Sequence, residues 1–194
     1  MTKEEVKQNI RYNENLVNQY QRRLNSLNQQ LNSLNGTIRQ LNAQNSDLVS
    51  RRQKLEGELA ELGQLRNKVQ NLRDEFSSRQ TKRMTGYNRN IGNIFTTNFF
   101  SSYINGMKSL LSGSEYRNAY NGLTTAVEKV VKKIKDKDRE VDSVVKQIND
   151  VRRRIDNATV EIRSCRSQIS QTESDLAYRR RRIQYWKDKL KYAT

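Results

Sequence analysis

Two series of residues seven apart constrain this chain more than any other feature. One runs Val6, Asn13, Tyr20, Leu27, Leu34, Leu41, Leu48, Leu55, Leu62, Val69 and Phe76, with only Asn13 strongly polar. The other runs Tyr120, Val127, Ile134, Val141, Ile148, Ile155, Ile162, Ile169, Leu176, Ile183 and Leu190, and carries no charge. A seven-residue apolar repeat sustained this long predicts supercoiled helices whose seam always faces a partner. The chain has no proline, so nothing of that kind interrupts either arm. At about 1.5 Å per residue, arms of this size would each run on the order of 110 Å.

Folding the chain back on itself gives each arm the other as partner. In an antiparallel two-helix coil, the d layer of one helix faces the a layer of the other. Taking the first series as d and the second as a, every pair from Phe76 with Tyr120 to Val6 with Leu190 has residue numbers summing to 196. The intervening layers then pair Ile38 with Ala158, Leu31 with Cys165, Leu24 with Thr172, Val17 with Arg179 and Ile10 with Trp186. Large side chains often meet small ones there, which suits a tight seam. Nearer the fold, Arg73 meets Leu123, Arg66 meets Val130, Leu59 meets Lys137, Arg52 meets Val144 and Asn45 meets Val151. These layers should be weak and wet at their edges, with cationic stems over apolar surface and their heads in water. The expected fold is therefore all-α, a long antiparallel coiled-coil helical hairpin. A swapped dimer would use the same layers, and a parallel dimer is a further alternative.

Composition divides the chain into a first arm over 3–76, a head over 77–119 and a second arm over 120–193. The head holds Gly86, Gly92, Gly106 and Gly113 among aromatic residues, and has no acidic residue before Glu115. Ile91, Phe95, Phe99, Tyr103 and Met107 recur every four residues, which predicts a short amphipathic helix. A strand over TTNFFSSY is the alternative. The head either buries its aromatics on the arm ends, where Leu65 and Leu72 broaden the apolar face, or presents Phe95, Phe99, Phe100 and Tyr103 to a partner.

Charge adds a second signal. The net charge is +16, and the last 19 residues alone carry +6. Arg179, Arg180, Arg181 and Arg182 are followed by Lys187, Lys189 and Lys191, with Tyr178, Tyr185, Trp186 and Tyr192 interleaved. Four consecutive arginines point around most of a helix, so one intramolecular salt bridge cannot use them all. Arg179 to Arg182 with Lys187 and Lys189 form a candidate patch for an acidic partner: nucleic acid, an anionic membrane or an acidic protein. The plain alternative is a solvated helix end whose cations favour the dipole.

The residue types argue against catalysis. There is no histidine, the usual acid/base at neutral pH and the commonest metal ligand. The single cysteine, Cys165, falls in the seam and reads as a small core residue. Carboxylates are scattered along helical faces, and no phosphate-cradling glycine loop occurs. No catalytic residue, metal site or cofactor is therefore expected. One cysteine supplies no internal disulfide. No stretch of about 18 apolar residues is present, so no spanning helix is expected. The polar start, MTKEEVKQNIRYNENL, is unlike a secretory signal peptide. The expected location is cytoplasmic, or outside the cell by a route without a cleaved leader.

The segment Leu111, Ser112, Gly113, followed by Ala119 and Tyr120 and then Leu123, Val127, Val130 and Ile134, resembles the turn and second helix of Trp-x-Gly (WXG-like) proteins. These are helical hairpins associated with type VII secretion in Gram-positive bacteria. The chain is similar in particular to the longer helical partners of LXG toxins, with Leu111 at the position of the family's tryptophan. The resemblance implies an export-targeting partner that binds a toxin's helical N-terminal domain.

Three functions thus follow from the sequence. The first is a non-enzymatic helical adaptor or secretion chaperone that binds another helical protein. The second is a basic coiled-coil protein that binds nucleic acid, using cations for phosphates and tyrosines for stacking. The third is a scaffold or filament subunit that assembles with copies of itself.

Overall fold

The chain folds as an all-α helical hairpin. The structure, a computed structural model, describes residues 2–90 and 98–193, with side chains for 2–87 and 101–193. Helix α1 spans Lys3–Asn90, α2 spans Asn98–Ser112 and α3 spans Ser114–Leu190. No strand occurs among the described residues. Residues 98–103 of TTNFFSSY are helical, so the strand alternative is corrected there.

Helix α1 opens on a reciprocal cap. The Thr2 backbone N–H donates to Glu5 Oε2 at 2.7 Å, and the Glu5 N–H donates to Thr2 Oγ1 at 3.3 Å. Two N–H groups left over at the helix start are thereby satisfied. The helix then continues through Asn90, beyond the compositional boundary at 76. Helix α3 likewise begins at Ser114, ahead of the boundary at 120. At its far end, the N–H groups of Lys191 and Tyr192 bond three residues back, to Asp188 and Lys189, and tighten the last turn.

Packing divides the chain into two compact units, Met1–Val49 with Gln147–Thr194, and Ser50–Lys146. In the first unit, α1 and α3 pair antiparallel: the Cys165 thiol donates to the Leu27 carbonyl at 3.2 Å, and Arg179 Nη1 donates to Asn13 Oδ1 at 3.4 Å. Both contacts fall within one helical turn of the layers that the heptads define. Val6, Ile10, Leu27, Leu41, Leu48, Ile148, Val151, Ala158, Ile162, Cys165 and Leu176 are all buried. Two polar seam residues are buried as well, each with its own partner. The Thr172 hydroxyl donates to the Gln168 carbonyl at 2.7 Å, and the Asn13 amide donates to the Asn9 carbonyl at 2.7 Å. Ala158, Cys165 and Thr172 are buried beneath the facing Ile38, Leu31 and Leu24, which are themselves half-buried, so this seam is more closed than that of the second unit.

The second unit uses the same heptads and the same antiparallel sense but is less closed. Lys137 Nζ lies 2.9 Å from Glu58, and the Phe76 and Tyr116 rings stack at 5.0 Å. The sequence layers paired Phe76 with Tyr120. The Tyr116 ring lies between those two, stacking on Tyr120 at 6.2 Å, because α3 begins early enough to carry it onto Phe76.

Candidate functional site

The second unit contains a seam that its described side chains leave largely half-buried. Leu55 and Val144 are buried, at 6% and 2% exposure, and so is Ile104 of α2. Apart from Ile104, no described side chain in 56–87 or 101–143 is buried. Leu59, Leu62, Val69 and Phe76 of α1 are half-buried, as are Tyr120, Leu123, Val127, Val130, Ile134 and Val141 of α3. The cause is in the alternate layers. Arg52, Arg66 and Arg73 occupy a positions, and Lys137 occupies a d position, where the first unit has apolar or small residues apart from Asn45 and Arg179.

Those cations turn to carboxylates and amides at the edge. Arg52 Nε bonds Glu56 Oε1 at 2.8 Å, Arg66 bonds Asn67 Oδ1 at 3.1 Å through Nη2, and Arg73 bonds Asp74 Oδ1 at 3.1 Å through Nη2. Lys137 bridges Glu58 at 2.9 Å and Glu140 at 3.2 Å. Its bond to Glu58, and then its bond to Glu140, hold its ammonium above the usual lysine pKa. An open cleft of about 460 Å³ lies over this network, with Leu62 and Leu65 in its wall.

Leu65 and Leu72 sit seven apart at g positions of α1, 46% and 58% exposed. On the same side of the pair, α3 presents Ala119 and Ala126 at its own g positions. Large residues on one helix and small ones on the other make a shallow apolar trough beside the half-buried seam. Exposed Lys68, Lys129 and Lys133 flank it, and Glu58, Glu61, Asp136 and Glu140 line the cleft at its Leu65 end. Of the head aromatics, Tyr116 stacks on Phe76 of the first arm at 5.0 Å, while Leu65 and Leu72 stay exposed.

The candidate tip residues are only partly within view. Phe95 lies outside the described residues, and the side chains of Phe99 and Phe100 do too, although α2 includes their backbone. Tyr103 is 53% exposed. The inward face of α2 is instead Ile104, buried, with Met107, Lys108 and Leu111 half-buried. The helix is pinned to α1 by Gln80, whose Nε2 donates to the Leu111 carbonyl at 3.1 Å. Gly113 joins α2 to α3. A Cβ there would be driven into the Ser109 carbonyl oxygen, so the chain can make this junction only with glycine.

The basic end of α3 lies in the first unit. Arg179 is half-buried on Asn13, with its guanidinium 5.3 Å from the Tyr178 ring. Arg182 lies 5.1 Å from the Tyr185 ring and 5.2 Å from the Trp186 ring. Lys189 lies 5.8 Å from Tyr185. Arg180, Arg181 and Lys187 are exposed. Asp188 is held below the usual carboxylate pKa by its bond to Lys191 and then by its bond to Gln184.

No helix among the described residues is long and apolar enough to cross a membrane. No family model, no curated protein and no solved structure matches this chain.

Proposed function

We propose that this chain is a non-enzymatic adaptor that binds another helical protein, and that the partner's amphipathic helix lies along the open seam of Ser50–Lys146. One observation carries this reading: the heptad repeat that buries Leu27, Leu41, Leu48, Ile148, Val151 and Ile162 in the first unit leaves every seam residue between Leu59 and Val141 that is described only half-buried or exposed, with Leu65 and Leu72 exposed beside it. A two-helix seam with an added apolar stripe at g is the pattern that a third helix completes. Burying each leucine on a partner is worth about 1.5–3 kcal/mol.

The net charge supports a choice of partner chemistry. Lys68, Lys129 and Lys133 flank the trough on a chain of net charge +16, so the occupant is a helix with acidic flanks. A second copy would bring the same cations against these. In its specific form, the adaptor targets an LXG-type toxin for type VII export. That form rests on the resemblance around Leu111–Gly113, and the requirement for glycine at 113 is in keeping with a turn at that place.

The test is affinity capture from the native host with and without nuclease, then reconstitution from purified components. A stoichiometric, nuclease-resistant acidic helical protein is expected. It should protect amides in 59–72 and 119–134 from hydrogen exchange, and Leu65→Glu with Leu72→Glu should abolish its binding while leaving the helical circular dichroism unchanged. A reconstituted partner that protects other segments, or that binds the double variant equally well, overturns the assignment.

A further inference from the structure

The basic end of α3 carries a stripe distinct from its seam. Tyr178, Arg182, Tyr185 and Lys189 lie at i, i+4, i+7 and i+11, which is one face of a helix, and Tyr192 continues the spacing just past the helix end. The three tyrosines are seven apart, so successive rings stand about 10.5 Å apart along the axis. They are 49%, 45% and 85% exposed. The aliphatic residues of this segment, Leu176, Ile183 and Leu190, are on the seam side and buried or half-buried. The stripe is thus made of aromatics alternating with cations, with Arg181 beside it.

The cations in it are not used up by carboxylates. Among the described residues, none of Arg180, Arg181, Arg182, Lys187 and Lys189 is in an ion pair; the ion pair of this stretch joins Asp188 to Lys191 at 3.0 Å. Arg182 and Lys189 lie instead over aromatic rings. Rings that every base can stack on, spaced along a line of positive charge, match the backbone and bases of an unpaired strand. A duplex hides its base faces and would leave the tyrosines idle. A membrane surface would call for aliphatic side chains on this face, and the stripe has none.

We infer that the Tyr178–Tyr192 stripe at the end of α3 is a binding surface for single-stranded nucleic acid, with the tyrosines as stacking platforms and Arg181, Arg182 and Lys189 as phosphate contacts. This surface is separate from the open seam of the second unit, so either assignment can fail alone.

The experiment is fluorescence anisotropy of the full chain with labelled DNA and RNA single strands of about 20 nucleotides, each titrated between about 50 and 200 mM salt. A duplex of the same length and vesicles of phosphatidylcholine with phosphatidylglycerol are the comparisons. Both single strands, or one of them, should bind more tightly than the duplex; which one binds identifies the sugar. The triple variant Tyr178→Ala, Tyr185→Ala, Tyr192→Ala should weaken binding about tenfold or more with the salt slope unchanged. The corresponding Phe triple variant should restore it. Arg181→Gln, Arg182→Gln and Lys189→Gln together should lower the salt slope by about 2. Thermal melts establish that each variant is folded. Equal affinity for duplex and single strand with no effect of the Ala variant would reduce the stripe to a generic polyanion surface and overturn the proposal. So would binding to vesicles without binding to oligonucleotides, or no binding at all.

Discussion

Alanine at Gly113 should do the opposite of alanine at the other glycines. Gly36, Gly57, Gly63, Gly86, Gly106 and Gly122 all lie inside helices, none has a positive φ, and a Cβ at any of them would meet nothing within 4 Å. At such sites alanine removes unfolded-chain entropy without strain, so each substitution should stabilise the fold by about 0.4–1 kcal/mol. At Gly113 the same gain is opposed by overlap with the Ser109 carbonyl oxygen. That atom is backbone, held in the last turn of α2, and cannot swing away as a side-chain tip could. Overpacking of this kind costs about 1–3 kcal/mol. The net expectation for Gly113→Ala is a loss of about 1–2 kcal/mol. The loss is local to the α2–α3 junction, so hydrogen exchange is the suitable assay. Amide protection in 101–112 should fall about 5–30-fold, while Gly57→Ala and Gly122→Ala raise the thermal midpoint. If Gly113→Ala stabilised the chain as the others do, the close approach of α2 to α3 would be refuted.

The contrast between a buried seam leucine and an uncovered g-position leucine should appear directly in urea unfolding. Leu27→Ala, at a position 7% exposed, should cost about 2–4 kcal/mol, whereas Leu72→Ala, at 58% exposed, should stay within about 0.5 kcal/mol. The Lys137 network gives a pH signature. Because its pKa is raised on folding, its contribution is complete below the ordinary lysine value of about 10.4 and is lost as pH climbs through the folded value. The difference in melting temperature between the natural chain and Glu58→Gln should therefore shrink from about pH 9 to above about pH 11.

The seam was legible because a coiled coil writes its contacts into one dimension: a residue's heptad position decides what it faces. The Cys165–Leu27 and Arg179–Asn13 contacts fall one helical turn from the pairings that rule gives, Cys165 with Leu31 and Arg179 with Val17. The limits of α1 were less legible, because composition changes at 77 while conformation does not. Residues 77–90 contain no proline, and one glycine costs a helix only about 1 kcal/mol. The inward face of α2 was misread for a related reason. The four-residue spacing through Tyr103 and Met107 marks one apolar line, but the helix also has Ile104, Met107 and Leu111 on a second line, and Gln80 bonding the Leu111 carbonyl fixes which one turns inward. Nothing in the sequence states that tertiary contact. The exposure of Leu65 and Leu72 was hidden similarly: their g positions mark them as apolar and adjacent to the seam, yet only the packing shows that nothing described covers them.

Charged residues in a coiled-coil seam weaken it, and most of them lie in one unit. Arg52, Arg66, Arg73 and Lys137 all belong to Ser50–Lys146, while the corresponding layers of the first unit hold Ile10, Leu24, Leu31 and Ile38 against Trp186, Thr172, Cys165 and Ala158, with Arg179 and Asn45 its polar exceptions at those positions. Closing the second seam would require only apolar residues at those four sites, a change compatible with the heptad. A seam built only for stability would use them. Keeping long cations there leaves the large d residues half-exposed and accessible to an added helix, while the guanidinium and ammonium groups sit where acidic flanks would approach. In the first unit Leu27, Leu41, Ile148 and Cys165 are buried by the two helices alone. In the adaptor reading proposed above, the half-buried seam of the second unit is what a partner helix would cover, and the test of that reading is whether the partner protects 59–72 and 119–134.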